Sequence, residues 1–153
     1  MADGVVIIGA ETLGRRLTRL ARGIATSDVL GEIGAYLVAS ITTRTQHHHE
    51  DVDERPFVAY SPKYLFFRQK SGYGTQVDLT LTGGMFAALT HEIFTDRVKV
   101  FFGPGTSRGT DVQHPAKAFY LQEKRKFFGF TDQDVANIME LYSVNIEGEL
   151  RGR

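Results

Sequence analysis

The chain has 153 residues, 42% of them hydrophobic and 24% charged, which suits one globular domain with a proper core and excludes a disordered chain. Lysine plus arginine balance aspartate plus glutamate at 18 each, so no overall field draws the chain to nucleic acid or to an anionic membrane. Cysteine is absent, which excludes disulfides, thiolate nucleophiles and thiolate metal sites, and fits synthesis in a reducing cytoplasm.

The opening apolar stretch, Val5 to Ile8, is too short for a signal-peptide core or a membrane span, so no membrane association is expected. Leu13, Leu17, Leu20 and Ile24 then fall on one face of a predicted first helix, with Arg15, Arg16, Arg19 and Arg22 off that line. Gly23 lies near its end, and Thr26, Ser27 and Asp28 offer caps for a second helix running to about Thr43. Leu30, Ile33, Leu37 and Ile41 keep helical spacing along it.

Residues 45–54 are polar apart from Val52 and read as an exposed loop. They include His47, His48 and His49 followed by Glu50 and Asp51, which are metal-ligand types. Consecutive side chains diverge, however, and converge on one ion only with strain, so these histidines are weak metal candidates. Pro56 and Pro62 hold extended backbone before them, and residues 63–69 suit a short aromatic helical turn.

Val77, Leu79 and Leu81 alternate with Asp78, Thr80 and Thr82, the pattern of a half-buried strand ended by Gly83 and Gly84. A helical turn over residues 85–89 precedes two strands, 91–94 and 97–102, joined at Thr95 and Asp96. Residues 103–109 read as an exposed glycine-rich loop. Gly103, Pro104 and Gly105 lack the Lys and Ser/Thr opening a helix that a phosphate cradle requires.

Lys124, Arg125 and Lys126 form the one compact basic run, flanked by Tyr120, Phe127, Phe128 and Phe130. Such a run suits a protein contact, or alternatively a small nucleic-acid-binding module. Thr131 and Asp134 make a capping box for a final helix, with Phe130 and Val135 as its staple. Val135, Ile138, Met139 and Tyr142 form its buried stripe, and residues 147–153 read as a flexible tail.

The expected architecture is a single α+β domain over 1–153 with its core at about 5–146. Two N-terminal helices and a C-terminal helix pack on a small, mainly antiparallel sheet, with long exposed loops. With 11 phenylalanines and 6 tyrosines, the paired Phe66-Phe67, Phe101-Phe102 and Phe127-Phe128 are each expected to leave one ring for a partner. No nucleophile, base and orienting partner can be assembled from the spacing, so neither an enzyme nor a cofactor is expected; the helix dipole accounts for Asp132 and Asp134.

Several short motifs occur in a telling order: Pro56-Phe57, then Leu79-Thr80-Leu81-Thr82-Gly83 with Met85, then Arg125-Lys126-Phe127-Phe128-Gly129 before an acidic helix. In this order the chain resembles the phage virion morphogenesis, or tail-completion, proteins. Phe57 stands where tryptophan is frequent in that family, a second glycine follows Gly83, and residues 116–122 replace a His-Gln-Phe-Gly segment. The resemblance implies a non-enzymatic structural protein of the virion, at the tail–neck region, that forms a ring, typically a hexamer, with copies of itself. It also implies contacts with the tail tube or tail terminator and with head-connector proteins, and possible DNA passage through the lumen. Pro56, Phe57, Leu79, Thr82, Gly83, Met85, Arg125, Phe127, Phe128 and Gly129 are the expected interface or structural residues.

Overall fold

The computed structural model describes residues 27–107 and 111–151, and the predicted helix from Leu13 to Ile24 lies outside them. Helix α1 (Ser27–Thr43) buries Leu30, Ile33, Leu37 and Ile41, the predicted stripe, and Val29 beside it. It lies across the hairpin formed by β1 (Leu89–Ile93) and β2 (Val98–Phe102) and also packs against the C-terminal helix. The close approach to the hairpin depends on Gly34, where an added Cβ would sit 2.4 Å from the His91 ring and 2.9 Å from Val98.

The chain leaves α1 through a π-helical turn, Arg44–His48, closed by His49 in a left-handed conformation at φ 61°. The widened turn carries Arg44 and Thr45 inward, where they are 5% and 0% exposed. Residues 45–54 are therefore not an exposed loop throughout: Thr45 is buried, and the half-buried Gln46 donates to the Thr80 hydroxyl at 2.7 Å. Farther on, the loop is organised by Asp51, whose Oδ1 accepts from the backbone N–H groups of Asp53 and Arg55 at 2.8 and 3.0 Å.

Helix α2 (Pro62–Lys70) covers the helical segment expected over residues 63–69; Ser61 caps it and Pro62 occupies its first turn, where no N–H is needed. The expected strand over Val77 to Leu81 is not formed, although Val77 and Leu79 are buried as the alternation requires. Side chains take over the backbone groups a strand neighbour would have satisfied. The Leu79 N–H donates to the Tyr60 hydroxyl at 3.1 Å, the Thr80 N–H to Asp78 at 2.9 Å, and the Thr80 carbonyl accepts from Arg68 at 2.6 Å. Leu79 itself adopts φ 53°, incompatible with an extended ladder.

Helix α3 (Gly84–Ala87) starts from Gly83 at φ 78° and leads directly into the hairpin. The strands pair antiparallel from Leu89 with Phe102 to Ile93 with Val98, and Phe94 donates to the Arg97 carbonyl at 2.8 Å around the predicted turn. Helix α4 (His114–Lys124) has no counterpart in the sequence reading. Its start is pinned by a bridge between Thr106 and Gln113 and by the His114 N–H on the Gly105 carbonyl at 2.8 Å.

Helix α5 (Asp132–Arg151) carries the predicted capping box in full: Thr131 N–H to Asp134 Oδ2 at 2.9 Å, and Asp134 N–H to Thr131 Oγ1 at 3.0 Å. Ile138 and Tyr142 are buried, and the helix continues to Arg151 where a flexible tail was expected. The α+β class is as expected. Among the described residues it comprises five α-helices around one two-stranded sheet, with Phe86, Phe102, Phe127 and Phe128 as an aromatic core. Their ring centroids lie 5.3 to 6.1 Å apart across the Phe86–Phe102, Phe86–Phe127, Phe102–Phe127 and Phe102–Phe128 contacts.

Candidate interaction surface

Two buried arginines hold the irregular parts of the chain in place and so decide what reaches the surface. Arg44 donates to Asp134 Oδ2 at 3.1 Å and to the carbonyls of Phe127 and Gly129 at 3.2 and 2.9 Å. Asp134 also accepts from Tyr36 at 3.0 Å and from Ser40. Burial alone would raise the Asp134 carboxyl, but the hydrogen bonds from Ser40, the Thr131 amide and Tyr36, with the Arg44 charge, outweigh it and hold the group below its ordinary value. Tyr36 moves the other way, raised chiefly by burial and then by its acidic neighbour.

Arg68, 1% exposed, is the second clamp. Its guanidinium donates to the carbonyls of Gly74 and Thr80 at 2.7 and 2.6 Å and pairs with Asp78 at 3.2 Å. The rings of Tyr60, Tyr64 and Tyr73 surround it at 5.1, 6.0 and 5.9 Å. Burial raises the Tyr60 hydroxyl above its ordinary value, partly opposed by Arg68.

The expected motif residues divide between core and surface. Leu79, Met85, Phe127 and Phe128 are all buried, so the Phe127-Phe128 pair leaves neither ring for a partner. The two sit in a turn after α4, with the Phe128 N–H on Gln122 Oε1 at 2.9 Å, and the rule that neighbours point to opposite sides of an element does not govern a turn. Gly129 is needed for contact: a Cβ there would lie 2.9 Å from Val52. Gly83 supplies the left-handed step into α3, and Phe57 packs half-buried on the core. Pro56 and Thr82 are exposed. Leu79, Thr82, Gly83 and Met85 meet Lys117 in a shallow cleft, where burial lowers the lysine below its usual range.

His47 and His48 are exposed, whereas His49 is half-buried with its Nδ1 enclosed and unpartnered. Among the described residues no three His, Cys, Asp or Glu side chains are placed to hold a metal ion. Arg125 is engaged within the chain, donating to the Val58 carbonyl at 3.1 Å and covering the Tyr60 ring at 5.1 Å. The Lys126 carbonyl receives the Val52 N–H at 2.8 Å, which sets the basic run beside the acidic 50–54 loop.

The surface feature that stands out is α2. Lys63, Phe66, Phe67 and Lys70 lie at i, i+3, i+4 and i+7, one helical face, and all four are exposed. Phe66 is 67% exposed and Phe67 47%, so this pair offers both rings where one was expected. The aromatic surface continues through Tyr64, stacked on Phe67 at 5.9 Å, to Tyr60 at 4.9 Å and on to Arg125 and the 74%-exposed Val58. In Phe101-Phe102 the division is as expected: Phe102 is buried and Phe101 half-exposed. The i, i+3, i+4, i+7 spacing was present in the sequence; only burial of the opposite face by Arg68 reveals that the stripe faces outward.

Among the described residues no helix is long and apolar enough to cross a membrane. A comparison of the chain with known protein families, with curated proteins and with solved structures finds no match.

Proposed function

We propose that the chain is a structural assembly protein of a tailed-phage particle, a ring-forming component that completes or terminates the tail and joins it to the head connector. The motif order from Pro56 to Gly129 supports the family reading, and the exposed face of α2 carries the assembly reading. A short amphipathic helix normally turns its aromatic face to the core, and here Phe66 and Phe67 point away from it. Exposed aromatics on a rigid helix are the groups from which protein interfaces draw most of their energy. The hairpin adds a second resource, since among the described residues β1 and β2 pair only with each other and each leaves an edge open.

Work done by shape and burial agrees with the engagement of the buried polar groups: Arg44, Asp134 and Arg68 brace the fold rather than face a substrate. The test is twofold. Light scattering on the purified protein is expected to return a discrete multiple of the 17.1 kDa monomer, and particle imaging is expected to place the chain at the neck. A strictly monomeric protein missing from purified virions would end this reading.

A further inference from the structure

The net charge is zero, yet the charges are sorted along the chain. Between Arg55 and Val77 there are four cations, Arg55, Lys63, Arg68 and Lys70, and no acid. Between Phe127 and Leu150 there are five acids, Asp132, Asp134, Glu140, Glu147 and Glu149, and no cation. The first segment contains α2 and the second is essentially α5. Arg68 and Asp134 are buried in ion pairs with Asp78 and Arg44, so the exposed charges are Lys63 and Lys70 on α2 and Asp132, Glu140 and Glu147 on α5, a basic aromatic face and an acidic one.

The exposed side of α5 has its own repeat. Asp132, Ala136, Glu140 and Val144 follow at steps of four, all exposed, opposite the buried Asp134, Ile138 and Tyr142. Val144 is 63% exposed on this otherwise acidic stripe. The order along α5 is acid, small, acid, apolar; along α2 it is cation, ring, ring, cation. At 1.5 Å rise per residue, Lys63 and Lys70 are about 10 Å apart along their axis, and Asp132 and Glu140 about 12 Å along theirs. Two lysines can thus meet two carboxylates while Phe66 and Phe67 lie over the shallow position at Ala136.

Both stripes are exposed in the monomer, so neither is occupied by the other within one chain. From this we infer that the α2 stripe of one copy docks on the α5 stripe of the next. The partner is a second copy of this chain, and the contact is heterologous, each subunit using a different face. Repeated around an axis, such a contact closes a ring without self-complementary patches. The inference rests on the assembly reading above and specifies its interface.

Two variants separate the faces. Phe66→Ser with Phe67→Ser removes the rings from α2 and leaves α5 intact; Glu140→Lys with Val144→Lys repels the lysines of α2 and leaves α2 intact. All four positions are exposed, so circular dichroism melting is expected to match the wild type. Each variant alone is expected to self-associate at least about a hundredfold more weakly, as loss of two anchor residues implies. Mixed in equal amounts they are expected to form a 1:1 dimer and no larger species, because one intact α2 then meets one intact α5. Raising sodium chloride from low to high concentration is expected to weaken wild-type association.

Variants that keep the wild-type oligomeric mass overturn this pairing while leaving ring assembly in place. Loss of assembly in one variant only, or a mixture that stays monomeric, overturns the heterologous contact. A wild-type protein monomeric at every concentration overturns the pairing, and one that is also missing from purified virions overturns the assembly reading. Salt-sensitive binding of duplex DNA that the Phe66→Ser, Phe67→Ser pair abolishes, without any change in mass, assigns the stripe to nucleic acid instead.

Discussion

Arg68 shows how one side chain replaces a strand. Its guanidinium fork spans the Gly74 and Thr80 carbonyls and Asp78 and is enclosed by three tyrosines, while Leu79 is left at φ 53°. The arrangement needs several donors in one plane, which lysine does not offer. Arg68→Lys is therefore expected to destabilise by about 2 to 4 kcal/mol in urea unfolding, since it keeps the charge buried and strips it of fixed partners. An unchanged midpoint would mean that the carbonyls find water and that the clamp is incidental. The same residue explains why the predicted strand failed. Val77, Leu79 and Leu81 do alternate, but nothing in a period of two announces that Arg68, twelve positions before Thr80, satisfies the Thr80 carbonyl.

At the scale of elements, what could be read from the sequence is what is settled locally. The capping box of Thr131 and Asp134 lies within four residues, and it formed as written; Thr131→Ala is expected to cost about 1 to 2 kcal/mol, read as a lower melting temperature. The stripe of α1 was legible for the same reason. Helix α4 was not, because Phe119 and Tyr120 point to solvent at 53% and 62% exposure and blur the apolar period that would reveal it. Phe127 and Phe128 were misassigned because their burial is decided by α3 and β2, distant in sequence. The packing of α1 on the hairpin has its own test. Gly34→Ala favours helix formation by about 1 kcal/mol, yet places a methyl inside the His91 ring's contact distance. A net loss of about 1 to 3 kcal/mol is expected, and adding His91→Ala to the same chain is expected to restore part of it, the Val98 contact at 2.9 Å remaining. Additive effects of the two substitutions would place the contact elsewhere.

Across the whole molecule, Asp134 is where the elements are tied together. It receives Tyr36 and Ser40 from α1, Arg44 from the π-helical turn and the Thr131 amide at the head of α5, and Arg44 in turn holds the Phe127 to Gly129 turn. Its folded pKa lies below the ordinary 3.8, so at mildly acid pH the unfolded chain binds the proton more readily than the folded one. The stabilisation is thus complete above the unfolded value and is lost as pH falls through the folded one, a window below about pH 4. Asp134→Asn removes the charge while keeping the shape and leaves Arg44 uncompensated, at a cost near pH 7 of about 3 kcal/mol. Other carboxylates titrate in both proteins, so the informative quantity is the difference between them. That gap is expected to narrow as pH falls below about 4 in denaturant titrations, as the wild-type aspartate takes up the proton the variant never needed. Parallel acid limbs would show that Asp134 is protonated already and that the knot is held by neutral hydrogen bonds alone.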